Sequence, residues 1–217
     1  MSPTPESPTP DSRVSAKIVL ASNNPKKLAE LRRILEPLVP GIEVLGLGDF
    51  PAYDEPAETE PTFEGNALIK ARACLAITGL PSLADDSGLC VDALGGMPGV
   101  LSARWSGVPK NEAADPANNR LLLSQLSDVA AERRTARFQC VMALCLPDGR
   151  EILERGEMTG RILSAEHGGG GFGYDPLFAA DGYEVSTAEL PQDEKDRISH
   201  RGKALTAMAP IIVDLLT

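Results

Sequence analysis

A mixed α/β fold is what this sequence predicts, and three observations predict it. Short apolar, β-friendly runs alternate with segments of helical periodicity through the first half of the chain. Two long runs, Thr135 to Leu146 and Glu151 to Ile162, flank Pro147-Asp148-Gly149 as a hairpin. The 217 residues, 42% of them hydrophobic, can bury a real core as one domain or as one unit of two lobes.

In chain order, Lys17-Ile18-Val19-Leu20-Ala21 is an apolar strand broken by Ser22-Asn23-Asn24. Pro25 suits the first helical position with Asn24 as cap, and Leu28, Leu31, Ile34 and Leu35 recur at helical spacing up to Pro37. Ile42 to Leu47 is a second strand, followed by an acidic, proline-rich loop from Gly48 to Pro61. A helix starts at Thr62 and runs to about Ile77, with Ala67, Ala71 and Leu75 on one side. Leu83-Ala84-Asp85-Asp86-Ser87-Gly88 predicts a strand ending in a turn that displays its acids, because Asp is a poor strand residue and Gly permits tight turns. A short strand resumes from Gly88 to Ala93, and Asp115 to Leu126 forms a helix. The last helix opens at Ser199-His200-Arg201, with Ser199 as cap and Ala204, Leu205, Met208, Ile211, Ile212 and Leu215 on its core face. Residues 1–16, rich in Pro, Ser and Thr and lacking an apolar signal core, are expected to be a disordered tail ahead of a domain spanning 17–217.

The net charge of −10 and a pI of about 4.7 exclude an extended nucleic-acid or anionic membrane surface. The partner is a small molecule, and any anion it carries must meet a local cluster of cations. No apolar run is long enough to span a membrane. Cys74, Cys90, Cys140 and Cys145 lie in apolar surroundings without C-x-x-C spacing, which predicts a reduced, cytoplasmic protein with buried thiols and no zinc site.

Four stretches carry chemistry. Adjacent Asp85 and Asp86 repel in any partly dry place; either a solvated turn or a hard divalent cation such as Mg2+ reconciles them. Lys26 and Lys27 occupy a first helical turn, where the macrodipole disfavours cations, unless an anion docks on the free N–H groups there. Gly168 to Gly171, followed by Phe172-Gly173-Tyr174-Asp175-Pro176, is either a mobile linker or a place where a ligand nears the main chain, with two rings suited to a planar group. Ser199-His200-Arg201 adds cationic and titratable groups at a helix start. Together they suit a planar, polyanionic, metal-complexed molecule, a nucleoside triphosphate.

Ser22-Asn23-Asn24-x-Lys26-Lys27, Thr62-Phe63-x-x-Asn66-Ala67-x-x-Lys70-Ala71, Ala84-Asp85-Asp86-Ser87-Gly88-Leu89, Gly95-Gly96-x-Pro98-Gly99, Phe172-Gly173-Tyr174-Asp175-Pro176 and Ser199-His200-Arg201 occur in the order seen in the inosine triphosphate pyrophosphatase family, the Ham1-like or RdgB-like dITP/XTP pyrophosphatases. The resemblance covers about residues 17–216. It implies an elongated sheet flanked by helices in two lobes with a central cleft, a homodimer, and Mg2+-dependent hydrolysis of ITP, dITP and XTP to monophosphate and pyrophosphate. By motif, Asp86 resembles the general base and a metal carboxylate, supported by Asp85, and Glu58 the second metal carboxylate. Ser22, Asn23, Asn24, Lys26 and Lys27 resemble the phosphate and sugar contacts, with Lys70, Ser87 and Lys195 further substrate contacts. Phe172, Gly173, Tyr174 and Asp175 resemble the base-holding segment, and His200 and Arg201 the reader of the 6-oxo purine edge. The chain departs from the pattern at Gly65, where many relatives carry Glu, with Glu64 one position earlier. Maf-like pyrophosphatases, disfavoured by His200-Arg201, and a nucleotide sensor without turnover, disfavoured by the intact acids, are the competing readings.

Overall fold

The computed structural model describes residues 17–109, 111 and 113–216; the tail expected over 1–16 lies outside them. Six strands form one sheet in the order β2-β1-β3-β4-β5-β6. They are β1 (Lys17–Leu20), β2 (Glu43–Gly46), β3 (Ser82–Val91), β4 (Thr135–Cys145), β5 (Glu151–Ile162) and β6 (Phe178–Ala180). β1 runs parallel to both β2 and β3, whereas β3, β4, β5 and β6 pair antiparallel in turn, so the sheet is mixed.

The helices are α1 (Pro25–Leu38), α2 (Phe63–Thr78), α3 (Ala114–Gln125), α4 (Gln192–Ile198) and α5 (His200–Leu216). Their starts follow from the sequence. Asn24 caps α1 by accepting from the N–H groups of Lys26 and Lys27 at 3.0 and 3.3 Å, and Thr62 caps α2 by accepting from Gly65 N–H at 3.2 Å. Gly79, at φ +66°, ends α2 in the left-handed conformation. Ser199 Oγ accepts from Gly202 N–H at 2.9 Å at the start of α5, as expected of a cap. The short α4 and β6 are not signalled by periodicity, since neither is long enough to show one.

Strand alternation divides the core. One face of the sheet, with Ile18, Leu20, Leu83, Met142 and Leu144, packs against α1 and α5. The opposite face, with Val19, Ala84, Val141 and Ala143, packs against α2 through Phe63, Ala67, Ala71 and Cys74. Farther along the first face, Leu89, Val91, Phe138, Met158 and Phe178 pack with Leu122 and Leu126 of the α3 region. Leu83 and Leu89 therefore belong to two separate apolar clusters on the same face of β3. Between them stand Asp85 and Ser87, a polar break between the two apolar clusters.

The acids do not sit in a turn at a strand end. β3 continues for ten residues through Asp85 and Asp86 to Val91 and absorbs the separate strand expected from Gly88. β4 pairs with it along its whole length, from Ser82↔Cys145 to Val91↔Ala136, so low strand propensity is overridden by a complete ladder on that edge. All four cysteines are buried and unpaired by disulfides, as expected. Among the described residues no helix is long and apolar enough to cross a membrane.

Candidate active site

The pairing of β1 with β3 covers only Val19↔Ser82 and Leu20↔Leu83; after Ala21 donates to Leu83 C=O at 2.8 Å the chain leaves for α1. Beyond Gly88, a 3-10 segment (Gly99–Arg104) covers the same edge, where Ser102 Oγ accepts from Leu89 N–H at 2.9 Å. The opening between them holds Asp85, Asp86 and Ser87. The strand pleat sends the two acids to opposite faces, each to its own set of cations.

Asp85, 3% exposed, faces α1 and α5. It accepts from Lys27 Nζ at 2.9 and 3.1 Å, from Arg201 Nε at 3.2 Å and from Ser87 Oγ at 2.7 Å. Burial alone raises a carboxyl, but Lys27 and Arg201 outweigh it and hold Asp85 well below the usual carboxylate range. Arg201 in turn donates through Nη1 to buried Glu30 at 2.6 Å. Two anions and two cations thus balance, and Asp85 is a fixed anion rather than a base.

Asp86, 5% exposed, faces α2 and is less well compensated. Lys70 Nζ lies 3.0 Å from Asp86 Oδ1 and 3.0 Å from Glu58 Oε1, one ammonium serving two carboxylates. Asn66 Nδ2 donates to Asp86 Oδ2 at 3.3 Å. Burial raises the Asp86 pKa, Lys70 opposes the rise, and the Glu58 charge adds to it; the net direction is upward. Glu58 moves the other way: burial is outweighed by Lys70 and by Arg104, whose Nη1 donates to Glu58 Oε2 at 2.8 Å. Two convergent carboxylates that share Lys70, with Arg104 serving Glu58 alone, suit one hard divalent cation. Among the described residues no group of three or more His, Cys, Asp or Glu is arranged to hold a metal, so such an ion would complete its shell with waters or substrate oxygens. Glu64 is not with this pair; it meets Arg155 at 2.7 Å.

Beside the acids, Asn24 N–H donates to Ser22 Oγ at 3.2 Å, and Asn23 N–H, exposed, donates to Glu55 Oε1 at 3.3 Å. Lys27 points inward to Asp85, whereas Lys26 is exposed. A carboxylate thus rests on the N–H of the residue just ahead of the Asn24 cap, next to a helix start of the kind where phosphate docks.

The glycine-aromatic loop lies against the Arg201 side. Phe172, half-buried, has Arg201 Cζ 5.5 Å and Lys195 Nζ 5.9 Å from its ring centroid. Asp175 is buried and holds the loop, with Lys195 Nζ at 2.6 Å and Phe172 N–H at 2.8 Å on Oδ2. Gly171, at φ +72°, has no room for a side chain because a Cβ would strike the Asp175–Lys195 pair. Tyr174 corrects the expectation that both rings suit a planar ligand: it is 4% exposed and donates to Ser102 C=O at 2.9 Å, which makes it part of the α3 cluster. His200, 8% exposed, stacks on Phe138 at 4.8 Å, and burial keeps its pKa well below the ordinary value.

The family model described as the Ham1 family matches residues 18–211, nearly the whole described chain. The chain belongs to the Ham1 family. A protein of Nocardia farcinica named dITP/XTP pyrophosphatase is 56% identical over 201 residues, covering 92% of this chain and 96% of its own. The crystal structure of a nucleoside-triphosphatase / dITP/XTP pyrophosphatase from Mycobacterium abscessus is 53% identical, with TM-score 0.73, over 89% of this chain and 99% of that one. A HAM1 protein from Coxiella burnetii superposes with TM-score 0.81 at 38% identity, over 92% and 99%.

In this Ham1 chain the sequence-predicted residues fall into three groups. Asp85, Lys27, Ser87 and Arg201 form one connected set, and Asp86, Glu58 and Lys70 a second on the other face. Phe172, Asp175 and Lys195 form a third that reaches the first through the Phe172–Arg201 contact. Lys26 and Asn23 remain at the exposed rim, and Tyr174 is interior. Glu30 and Arg104 were missed as partners, Asn66 was seen only as part of a motif, and Glu55 only as part of an acidic run. Glu30 stands one turn after Lys26 on α1, a spacing that reads as a surface pair; its partner Arg201 is 171 positions away.

Proposed function

We propose that this chain hydrolyses deaminated purine nucleoside triphosphates, ITP, dITP and XTP, to the monophosphate and pyrophosphate with Mg2+, removing them from the nucleotide pool. The observation that carries the reading is the Asp86–Glu58 pair sharing the single ammonium of Lys70, beside the Asn24-capped start of α1. The names of the close relatives support the substrate class.

Mg2+ held by Asp86 and Glu58 would lower the pKa of a bound water and offset phosphate charge. Asp86 takes the proton of the attacking water as general base. Lys70, raised in pKa chiefly by Asp86 and Asp85 against the opposing effect of burial, stays charged and stabilises the anion that develops on the leaving pyrophosphate. Ser22, Asn23, Asn24 and Lys27, with Lys26 at the rim, bind the triphosphate and sugar. Asp85 acts through Lys27 and Arg201, fixing both. Phe172 carries the base, held by Gly173, Tyr174, Asp175 and Lys195, with Ser87, His200 and Arg201 at its edge. Arginine donates hydrogen bonds and cannot accept them, so it matches O6 of hypoxanthine or xanthine and mismatches the 6-amino group of adenine. Residues 17–217 act as one catalytic domain of a cytoplasmic homodimer, with neither nucleic acid nor membrane as partner; the acidic net charge supports the last point.

Pyrophosphate release with Mg2+ from ITP, XTP, GTP and ATP, measured side by side, tests the reading. Turnover of ITP and XTP well above ATP is expected. No release from any of the four refutes the chemistry, and equal release from ATP refutes the base selection. Light scattering tests the dimer.

A further inference from the structure

We propose that Asp115 and Asn119 of α3 are a positioning pair that clasps the peptide groups flanking Gly173 and thereby holds Phe172 where it carries the nucleobase; the inference rests on the pyrophosphatase reading. The two residues lie one helical turn apart and present both side chains to the same glycine. Asp115 Oδ2 accepts from Gly173 N–H at 2.8 Å, and Asn119 Nδ2 donates to Gly173 C=O at 3.2 Å. Both hydrogen-bonding groups of that residue are thus held by one helix from more than fifty positions away. Gly173 sits at φ +63°, a conformation that glycine adopts freely and other residues rarely do.

The Asn119 amide shows what its orientation serves. Asn119 is 3% exposed, and its Oδ1 has no hydrogen-bond partner, one of only two such buried side-chain atoms among the described residues. Turning the amide over would set its oxygen against the Gly173 carbonyl oxygen. The orientation of the amide is therefore the one that donates to the loop.

Phe172 is fixed from both sides as a result. Its own N–H is held by Asp175 and the next peptide by Asp115, which leaves the half-buried ring beside Arg201 and Lys195. Neither Asp115 nor Asn119 is near the Asp86–Glu58 pair in hydrogen-bonding terms, so the clasp acts on binding and base choice rather than on phosphorus.

The test measures KM and kcat for ITP and the ITP-to-ATP ratio of kcat/KM in wild type, Asp115→Ala, Asp115→Asn and Asn119→Asp. Asp115→Ala should raise KM for ITP about tenfold and lower the ratio while kcat stays within about threefold, the cost of losing one charge-assisted hydrogen bond. Asp115→Asn, whose amide oxygen still accepts from Gly173, should recover most of the loss. Asn119→Asp keeps the volume but removes the donor, and should resemble Asp115→Ala. A KM within twofold of wild type in both Asp115→Ala and Asn119→Asp overturns the inference, as does a fall in kcat at unchanged KM. Amide exchange at Gly173 in the wild type needs no variant to fold: slow exchange is expected, and exchange at the rate of an open loop overturns the clasp. A wild type without ITP turnover overturns the parent reading and this inference with it, whereas an active wild type with unchanged variants overturns this inference alone.

Discussion

Replacing Asp85 and Asp86 one at a time by Asn should have opposite consequences, although the two residues are adjacent and almost equally buried. Asp85 is the anion between Lys27 and Arg201. Its amide would keep one acceptor but leave buried Arg201 and half-buried Lys27 with Glu30 as the sole near carboxylate. Breaking a buried ion pair from one side costs about 3 to 5 kcal/mol, and the retained acceptor places this case near the lower end, about 3 kcal/mol. In a chain of this length that corresponds to a fall in Tm of about 6 to 12 °C. Asp86→Asn removes a carboxylate that competes with Glu58 for Lys70, while Lys70 keeps Glu58 as its partner. Stability should change by less than about 1 kcal/mol, but turnover should fall by at least about 100-fold with the general base gone. Nucleotide affinity should stay within about tenfold. Thermal melts at pH 7, together with pyrophosphate release from ITP, read both effects. Equal destabilisation by the two substitutions, or a fully active Asp86→Asn protein, would refute the division of labour between the two faces.

Four further outcomes follow from the geometry. Gly88→Ala should lower the urea midpoint by an amount equivalent to about 2 to 3 kcal/mol, because its Cβ would strike Gly99 C=O and lie 2.6 Å from Ser102 Oγ; an unchanged midpoint would show that the 3-10 segment can move aside. Arg201→Ala should lower the preference for ITP over ATP about tenfold, and an unchanged ratio would remove Arg201 from base reading. Glu55→Gln should lower KM about two- to threefold, since an anion resting on Asn23 N–H must leave before phosphate arrives; a higher KM would assign Glu55 a binding role instead. His200 is buried neutral, so the unfolded chain binds a proton that the folded chain refuses. Its stabilising contribution is complete above pH 6.5 and shrinks as pH falls from there toward its much lower folded value, by up to about 1.4 kcal/mol per pH unit. Urea titrations from pH 7 to 5 should show a shallower slope for His200→Phe, and an identical slope would place the proton uptake elsewhere.

The larger elements were legible because each had a local signal. Asn24-Pro25 and Thr62 announce helix starts, and the alternation of Thr135 to Leu146 and Glu151 to Ile162 announces the hairpin, which spans Thr135–Cys145 and Glu151–Ile162. The path of β3 was not legible, because an Asp-Asp-Ser-Gly segment reads as a turn until its partners are known. Those partners come from α1, α2, α5 and a loop, at separations of 16 to 116 residues, and no period in the sequence encodes them. Tyr174 shows the same limit: flanked by Gly173 and Asp175 it reads as a loop ring, yet Ser102, 72 positions earlier, takes its hydroxyl into the interior. The Asp115–Gly173 contact joins a helix whose sequence gives only its apolar face to a loop whose sequence gives only its glycines.

The continuous pairing of β3 with β4 restricts how this site can change over evolutionary time. Because side chains alternate, loss or gain of one residue between Leu83 and Asp85 would turn the pair over relative to Leu83, presenting each acid to the other's cations. Slippage could restore the facing only by shifting ten ladder positions together. Length variation in this strand is therefore closed to descent with function, and the site is left to diversify by substitution alone, or by insertions in the loops that carry Glu58 and Phe172.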